Sequence, residues 1–182
     1  STSYIDGPMQ YQKSASGSSS LNFPIGNGSD CRPVILTVNH TNSTLYTYRS
    51  KLYNASAEAL GYTLPPDVDK VSSVHYYIIQ RKDNSGNEQP TAGLSGNQTI
   101  QIFYGDNDIT EDGYSATIVK NTYNNLTTWS DIGGNPTAVT MNVSGDITST
   151  SSPAAFNSFS TFALGFRKLI ILPIELSDFN AE

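Results

Sequence analysis

Charge is scarce in this sequence, and positive charge is scarcer still. Charged residues make up 14% of the chain, with 10 Lys and Arg against 16 Asp and Glu, a formal net charge of −6 and an isoelectric point near 4.7. Nucleic-acid binding depends on clustered Lys and Arg that displace counterions from phosphates. No such cluster occurs, so nucleic acid is not an expected partner. Long apolar runs are missing too. The stretch 169–174 falls far short of the roughly 20 residues a spanning helix needs, and no membrane insertion is expected. Cysteine is almost absent: Cys31 alone can form neither an internal disulfide nor a paired-cysteine metal site. A lone cysteine fits a cytosolic origin; the composition favours instead a large secreted protein with enough core to dispense with the disulfides that small secreted domains need. The helix formers Ala, Glu, Lys and Leu are sparse. An opening at Ser1 with neither Met nor signal segment reads as an excised module.

What fills the space is Ser, Thr, Asn, Gly and Tyr, residues that suit pleated strands and tight turns. The 182 residues fit one domain, which at that size buries roughly 70% of the surface its unfolded chain exposes. Runs of alternating apolar and polar residues recur between turn signals. A first strand over 1–11 is interrupted by Gly7-Pro8 and belongs at an edge or bend, and a polar tip at 13–20 follows it. The run 32–39 is apolar on both faces and reads as central. Strands follow at 43–52 and 71–81, with a turn or two of helix at 54–60 stopped by Gly61. Later strands are expected over 99–104, 114–120 and 128–130, at 138–143 with Val139, Met141 and Val143 inward, and at 156–166. About ten short strands with hairpin signals predict an all-β fold, an antiparallel β-sandwich of jelly-roll-like or Ig-like type. No internal repeat is found.

The stretch 99–114 gathers the densest acidic cluster, expected at a hairpin end between two strands. Asp106, Asp108, Thr110 and Asp112 alternate at the spacing with which a loop wraps oxygen ligands around a hard cation, so calcium is the candidate cofactor. The EF-hand pattern fails, because Glu111 stands where Gly is needed and Thr117 where Glu is needed. A solvated loop tip accounts for the same residues. Among the aromatics, Trp129, Tyr104 and Tyr123 are candidate ligand-binding residues for sugar rings, beside Tyr62, Tyr76 and Tyr77, and a sandwich core uses aromatics equally well. Strand alternation puts Tyr76 and Tyr77 on opposite faces. No catalytic residue is assigned. Asp67/Asp69 and Asp106/Asp108 are adjacent loop carboxylates with no sign of a cleft, and His40 and His75 have no Ser or Cys in a nucleophile-elbow context.

Several segments carry a resemblance in order along the chain. Ser3-Tyr4-Ile5-Asp6-Gly7-Pro8, Phe23-Pro24-Ile25-Gly26, Arg32-Pro33-Val34, Tyr76-Tyr77-Ile78-Ile79, Trp129-Ser130-Asp131-Ile132-Gly133-Gly134 and Phe159-Ser160-Thr161-Phe162-Ala163-Leu164-Gly165 together resemble a β-rich module of very large secreted surface proteins of the Bacteroidota. The tail Leu172-Pro173-Ile174-Glu175-Leu176 is similar to the start of the fibronectin-type-III-like domain that precedes a type IX secretion sorting signal in those proteins. Tyr77 departs from the usual Trp. The resemblance implies a secreted, extracellular, cell-surface location, a module over 1–171, and a linker or first strand of a following domain over 172–182.

These readings order three functions. The first is a non-catalytic interaction or spacer module of an adhesin-like multidomain protein, with neighbouring domains of the same chain as partners. The second is a carbohydrate-binding module, with calcium assisting, whose partner is a surface glycan or polysaccharide. Glycoside hydrolase ranks last. An aromatic row facing outward from one sheet favours the second, and rings all buried between sheets favour a spacer.

Overall fold

A computed structural model describes residues 3–89, 92–96, 98–122, 125–134, 137–150 and 158–169. Its strands in chain order are β1 (Ile5–Asp6), β2 (Met9–Lys13), β3 (Gly17–Phe23), β4 (Ile25–Asn27), β5 (Asp30–Cys31), β6 (Val34–His40), β7 (Tyr46–Tyr53) and β8 (Lys70–Val71). They continue as β9 (Tyr76–Asp83), β10 (Thr99–Tyr104), β11 (Tyr114–Thr122), β12 (Asn125–Asp131), β13 (Thr137–Val139), β14 (Gly145–Thr148) and β15 (Thr161–Lys168). The count is about fifteen rather than ten. The surplus is β3, β4, β5 and β14, none of them expected as strands, together with the splitting of 1–11 into β1 and β2 and of 71–81 into β8 and β9.

The fold is an all-β antiparallel sandwich. β14-β10-β6-β3 form one sheet and β12-β11-β15-β9-β7-β2 the other, which β8 and β13 extend to eight strands; β1-β4-β5 make a small third sheet. Phe23, Val34, Leu36, Ile100 and Ile102 from the smaller sheet meet Tyr48, Tyr77, Ile118, Phe162 and Leu164 from the larger in one core. Each such side chain contributes about 1.5–3 kcal/mol when fully buried. A second, smaller core lies on the other face of the large sheet. There Val119, Trp129 and Ala163 are covered by Ala57, Leu64 and Val68 from the segment between β7 and β8.

β6 is central as expected, flanked by β3 and β10. β2 is the edge that Gly7-Pro8 announces. Residues 58–60 make one 3-10 turn, and Gly61 ends it in the left-handed region at φ 69°. The polar run 13–20 is not a tip. β3 starts at Gly17, because its ladder to His40–Val34 supplies order that its own Ser residues do not announce. The run 71–81 is broken, since Ser72 Oγ accepts from the amides of Val74 and His75 and turns the backbone out of the ladder. Val139 points inward, but Met141 and Val143 are 42% and 50% exposed. A turn closed by Val143 N to Thr140 O, with Asn142 at φ 60°, carries them off the sheet.

The largest correction concerns the acidic stretch, which is no hairpin. β10 pairs with β6 and β14, whereas β11 pairs with β12, β13 and β15, so residues 105–113 cross from one sheet to the other. Tyr123 and residues 170–182, including the expected boundary at 172, lie outside the described residues.

Candidate functional site

At the crossing, the chain leaves β10 through Gly105 and makes one 3-10 turn, Asp106–Asp108. That turn swings the Asp108 carboxylate inward, where its side chain is wholly buried. Oδ2 accepts from the Gly105 amide at 2.7 Å and faces Arg32 Nε at 3.2 Å; Oδ1 lies 2.8 Å from His75 Nδ1. A Cβ at residue 105 would run into the Arg32 guanidinium, so any larger residue there would displace Arg32 from its place beside Asp108. Tyr77 closes the cluster from below, donating its hydroxyl to the carbonyls of Arg32 and Phe103 at 3.3 and 3.4 Å, with its ring edge-on to His75. Burial alone would raise the Asp108 carboxyl. The His75 hydrogen bond and charge, the Gly105 amide and Arg32 outweigh it and hold the carboxyl below the ordinary range. This cluster ties the start of β6, the turn before β9 and the crossing loop into one joint.

The four candidate calcium ligands do not converge. Asp108 is taken by Arg32 and His75, while Asp106, Thr110 and Asp112 are exposed, and Asp112 Oδ1 accepts from the Met141 amide. Among the described residues, no group of three or more His, Cys, Asp and Glu is arranged to hold a metal. Asp69 also has a backbone partner, accepting from Lys168 N.

The candidate sugar-binding aromatics are likewise dispersed. Trp129 is 4% exposed in the small core, under the tilted ring of Tyr62. Tyr104 is half-buried on the smaller sheet, over Gly145, where a Cβ would strike its ring. An open depression of about 440 Å³ lies beside it, lined by Arg32, Pro33, Phe103 and Asp146.

An aromatic pair does stand outward elsewhere. On β7 and β9, even and odd positions part cleanly. Tyr48, Leu52, Tyr77 and Ile79 enter the core, and Arg49, Lys51, Tyr53, Tyr76, Ile78 and Gln80 take the other, half-exposed face. Tyr53 and Tyr76 are register partners, and their rings stack at 5.0 Å and 7°. Lys51 Nζ lies 4.3 Å from the Tyr53 ring centroid. The segment between β7 and β8 covers the β11, β12 and β15 part of this face, so among the described residues β9, β7 and β2 form its open half, with the tyrosine pair at the border. Next to the pair runs a groove of about 310 Å³ lined by Tyr62, Ile78, Gln80 and Glu88. Tyr53 was legible from sequence by its parity with Lys51 and Arg49, but the periodicity over 43–52 stops one residue short of it.

Beneath this face, Arg81 is fully buried and holds β9 to the loop that follows. Nε donates to Tyr48 Oη at 2.9 Å, and the two terminal nitrogens donate to the carbonyls of Gln89 and Ala92 at 2.7 and 2.6 Å. The guanidinium also lies 3.5 Å over the Tyr46 ring. Tyr48 Oη, which accepts from Arg81, also lies 2.6 Å from His40 Nε2, a hydrogen bond in which either group can be the donor. Burial first, then the charges of Arg81 and Lys13, lower His40 to about 4.

Unfolded His40 titrates near 6.5, so between those values the unfolded chain binds a proton that the folded chain does not. The stability it contributes is complete above 6.5 and is lost as pH falls towards 4. The expected loss is roughly 1–2 kcal/mol once solvent screening is counted, or about 2–8 °C. Melting the wild type and His40→Gln at both ends of the window isolates it, and equal slopes in the two proteins would refute this role for His40.

No family model, curated protein or solved structure matches this chain.

Proposed function

We propose that the domain is a non-catalytic interaction module of a secreted, multidomain cell-surface protein, and that it binds a glycan on the open half of the large sheet's outer face. The observation that carries this reading is the half-exposed Tyr53–Tyr76 pair. Stacked tyrosines lose little entropy on binding and offer an apolar body beside a polar hydroxyl, which suits the alternating C–H and O–H surface of a sugar. Gln80, Arg49 and the groove by Ile78 supply hydrogen-bonding groups and an apolar floor next to them. The non-catalytic part rests on Asp108, the buried carboxylate, whose oxygens face cations and a backbone amide rather than a cleft. The surface location rests on the resemblance of the ordered segments.

A glycan array probed with the wild type and with Tyr53→Ala/Tyr76→Ala tests the reading. Glycans bound by the wild type are expected to lose at least about tenfold in affinity in the double variant, the equivalent of about 1.4 kcal/mol. Equal binding by the two proteins would remove this face from the account, and no glycan bound at all would leave the spacer reading in its place.

A further inference from the structure

The protein carries an excess of acid, yet two of its accessible cations stand together without acidic partners on the open half of this face. Arg32 is held by Asp108, Lys70 pairs with Glu111, Arg167 with Asp131, and Arg81 and Lys120 are buried. Among the described residues, the accessible cations Arg49, Lys51 and Lys168 have no carboxylate within 4.0 Å; Lys168 stands apart at the end of β15, whereas Arg49 and Lys51 both project from β7 on the same side as Tyr53. Alternate residues of a strand lie about 7 Å apart on one face, so the two cations and the tyrosine form a regular row.

Arg49 is also pre-positioned. It donates through Nη1 to Gln80 Oε1 at 3.0 Å, Gln80 donates to Glu88 at 3.1 Å, and Glu88 pairs with Lys82 at 3.5 Å. This relay fixes one nitrogen of the guanidinium and leaves its other donors for a carboxylate, the acceptor whose geometry a guanidinium fork matches.

We infer that the glycan bound on this face is acidic, its sugar carboxylates on Arg49 and Lys51 and its rings against Tyr53 and Tyr76. This inference rests on the face being the glycan site. A carboxylate spaced along a sugar chain suits two separated cations. A nucleic acid, with one charge per roughly 1.7 Å of duplex, needs many.

Affinity electrophoresis of the whole domain through gels containing polygalacturonate, its methyl ester, or single-stranded oligothymidylate tests this. Polygalacturonate is expected to retard the wild type, with affinity falling as salt rises from about 50 to about 500 mM. Its methyl ester, and the Arg49→Gln/Lys51→Gln variant against polygalacturonate, should each bind at least about tenfold more weakly, as loss of charge-assisted hydrogen bonds predicts. The variant should melt with the wild type, since neither side chain is buried. Equal retardation by acid and ester, abolished by Tyr76→Ala, would overturn the acidic inference and keep the glycan site. An undiminished double variant, or equal retardation by oligothymidylate, would also overturn it. No retardation by either sugar polymer would overturn the acidic inference, while the glycan site itself stands or falls on the array.

Discussion

Replacing Asp108 by asparagine is expected to cost roughly 3–5 kcal/mol, because it strips the buried Arg32 guanidinium and His75 of the carboxylate that compensates them. For a domain of this size that is about 6–20 °C in melting temperature. Asp106→Asn and Asp112→Asn, at exposed positions on the same loop, should each stay within about 0.5 kcal/mol of wild type. The contrast has a pH counterpart. Asp108 is held below its ordinary range when folded, so its contribution is present above about 4 and is lost as pH falls through the folded value. Thermal melts of the three variants decide the matter. An Asp108→Asn protein that melts with the wild type would show that the joint between the sheets lies elsewhere.

Arg81→Met should be nearly as damaging, about 3–5 kcal/mol, for a different reason. Methionine keeps part of the stem's volume but leaves the Tyr48 hydroxyl and the carbonyls of Gln89 and Ala92 without their donor, in a site already closed to water. Gln89 N donates to Arg81 O, so the loop is stitched to β9 from both sides. Hydrogen exchange should therefore accelerate at Gln89 and at Asn87 N, which bonds to Asp83, alongside the lowered melting temperature. Unchanged exchange in that loop would mean that Arg81 is a passive filler of the core.

The sandwich was legible because its ingredients are local. β6, β7 and β9 alternate so regularly that the inward residues of each can be read off by parity, and Gly61 and Gly7-Pro8 mark ends that the structure keeps. The joint was not legible. Arg32, His75 and Asp108 are far apart in sequence and meet only once two sheets face each other. A Gly followed by a short polar run reads the same whether the chain turns back on its own strand or crosses to another. What separates these cases is β11, in which Ser115 through Asn121 are all buried although Ser115, Thr117, Lys120 and Asn121 keep its sequence from reading as an apolar run. A strand buried on both faces belongs in the middle of a covered sheet rather than on the returning arm of an exposed hairpin. The same long-range pairing explains the aromatics. Trp129 went to a core because the segment before β8 folds over it, bridging Thr63 to Thr128, and nothing in the periodicity of 128–130 announces that cover.

The most direct test of the binding face is an amide NMR titration of the domain with oligogalacturonate. The account predicts chemical-shift changes centred on Arg49, Lys51, Tyr53, Tyr76, Ile78 and Gln80, the outward residues of β7 and β9. Changes centred instead on the crossing loop and the depression beside Tyr104 would contradict it.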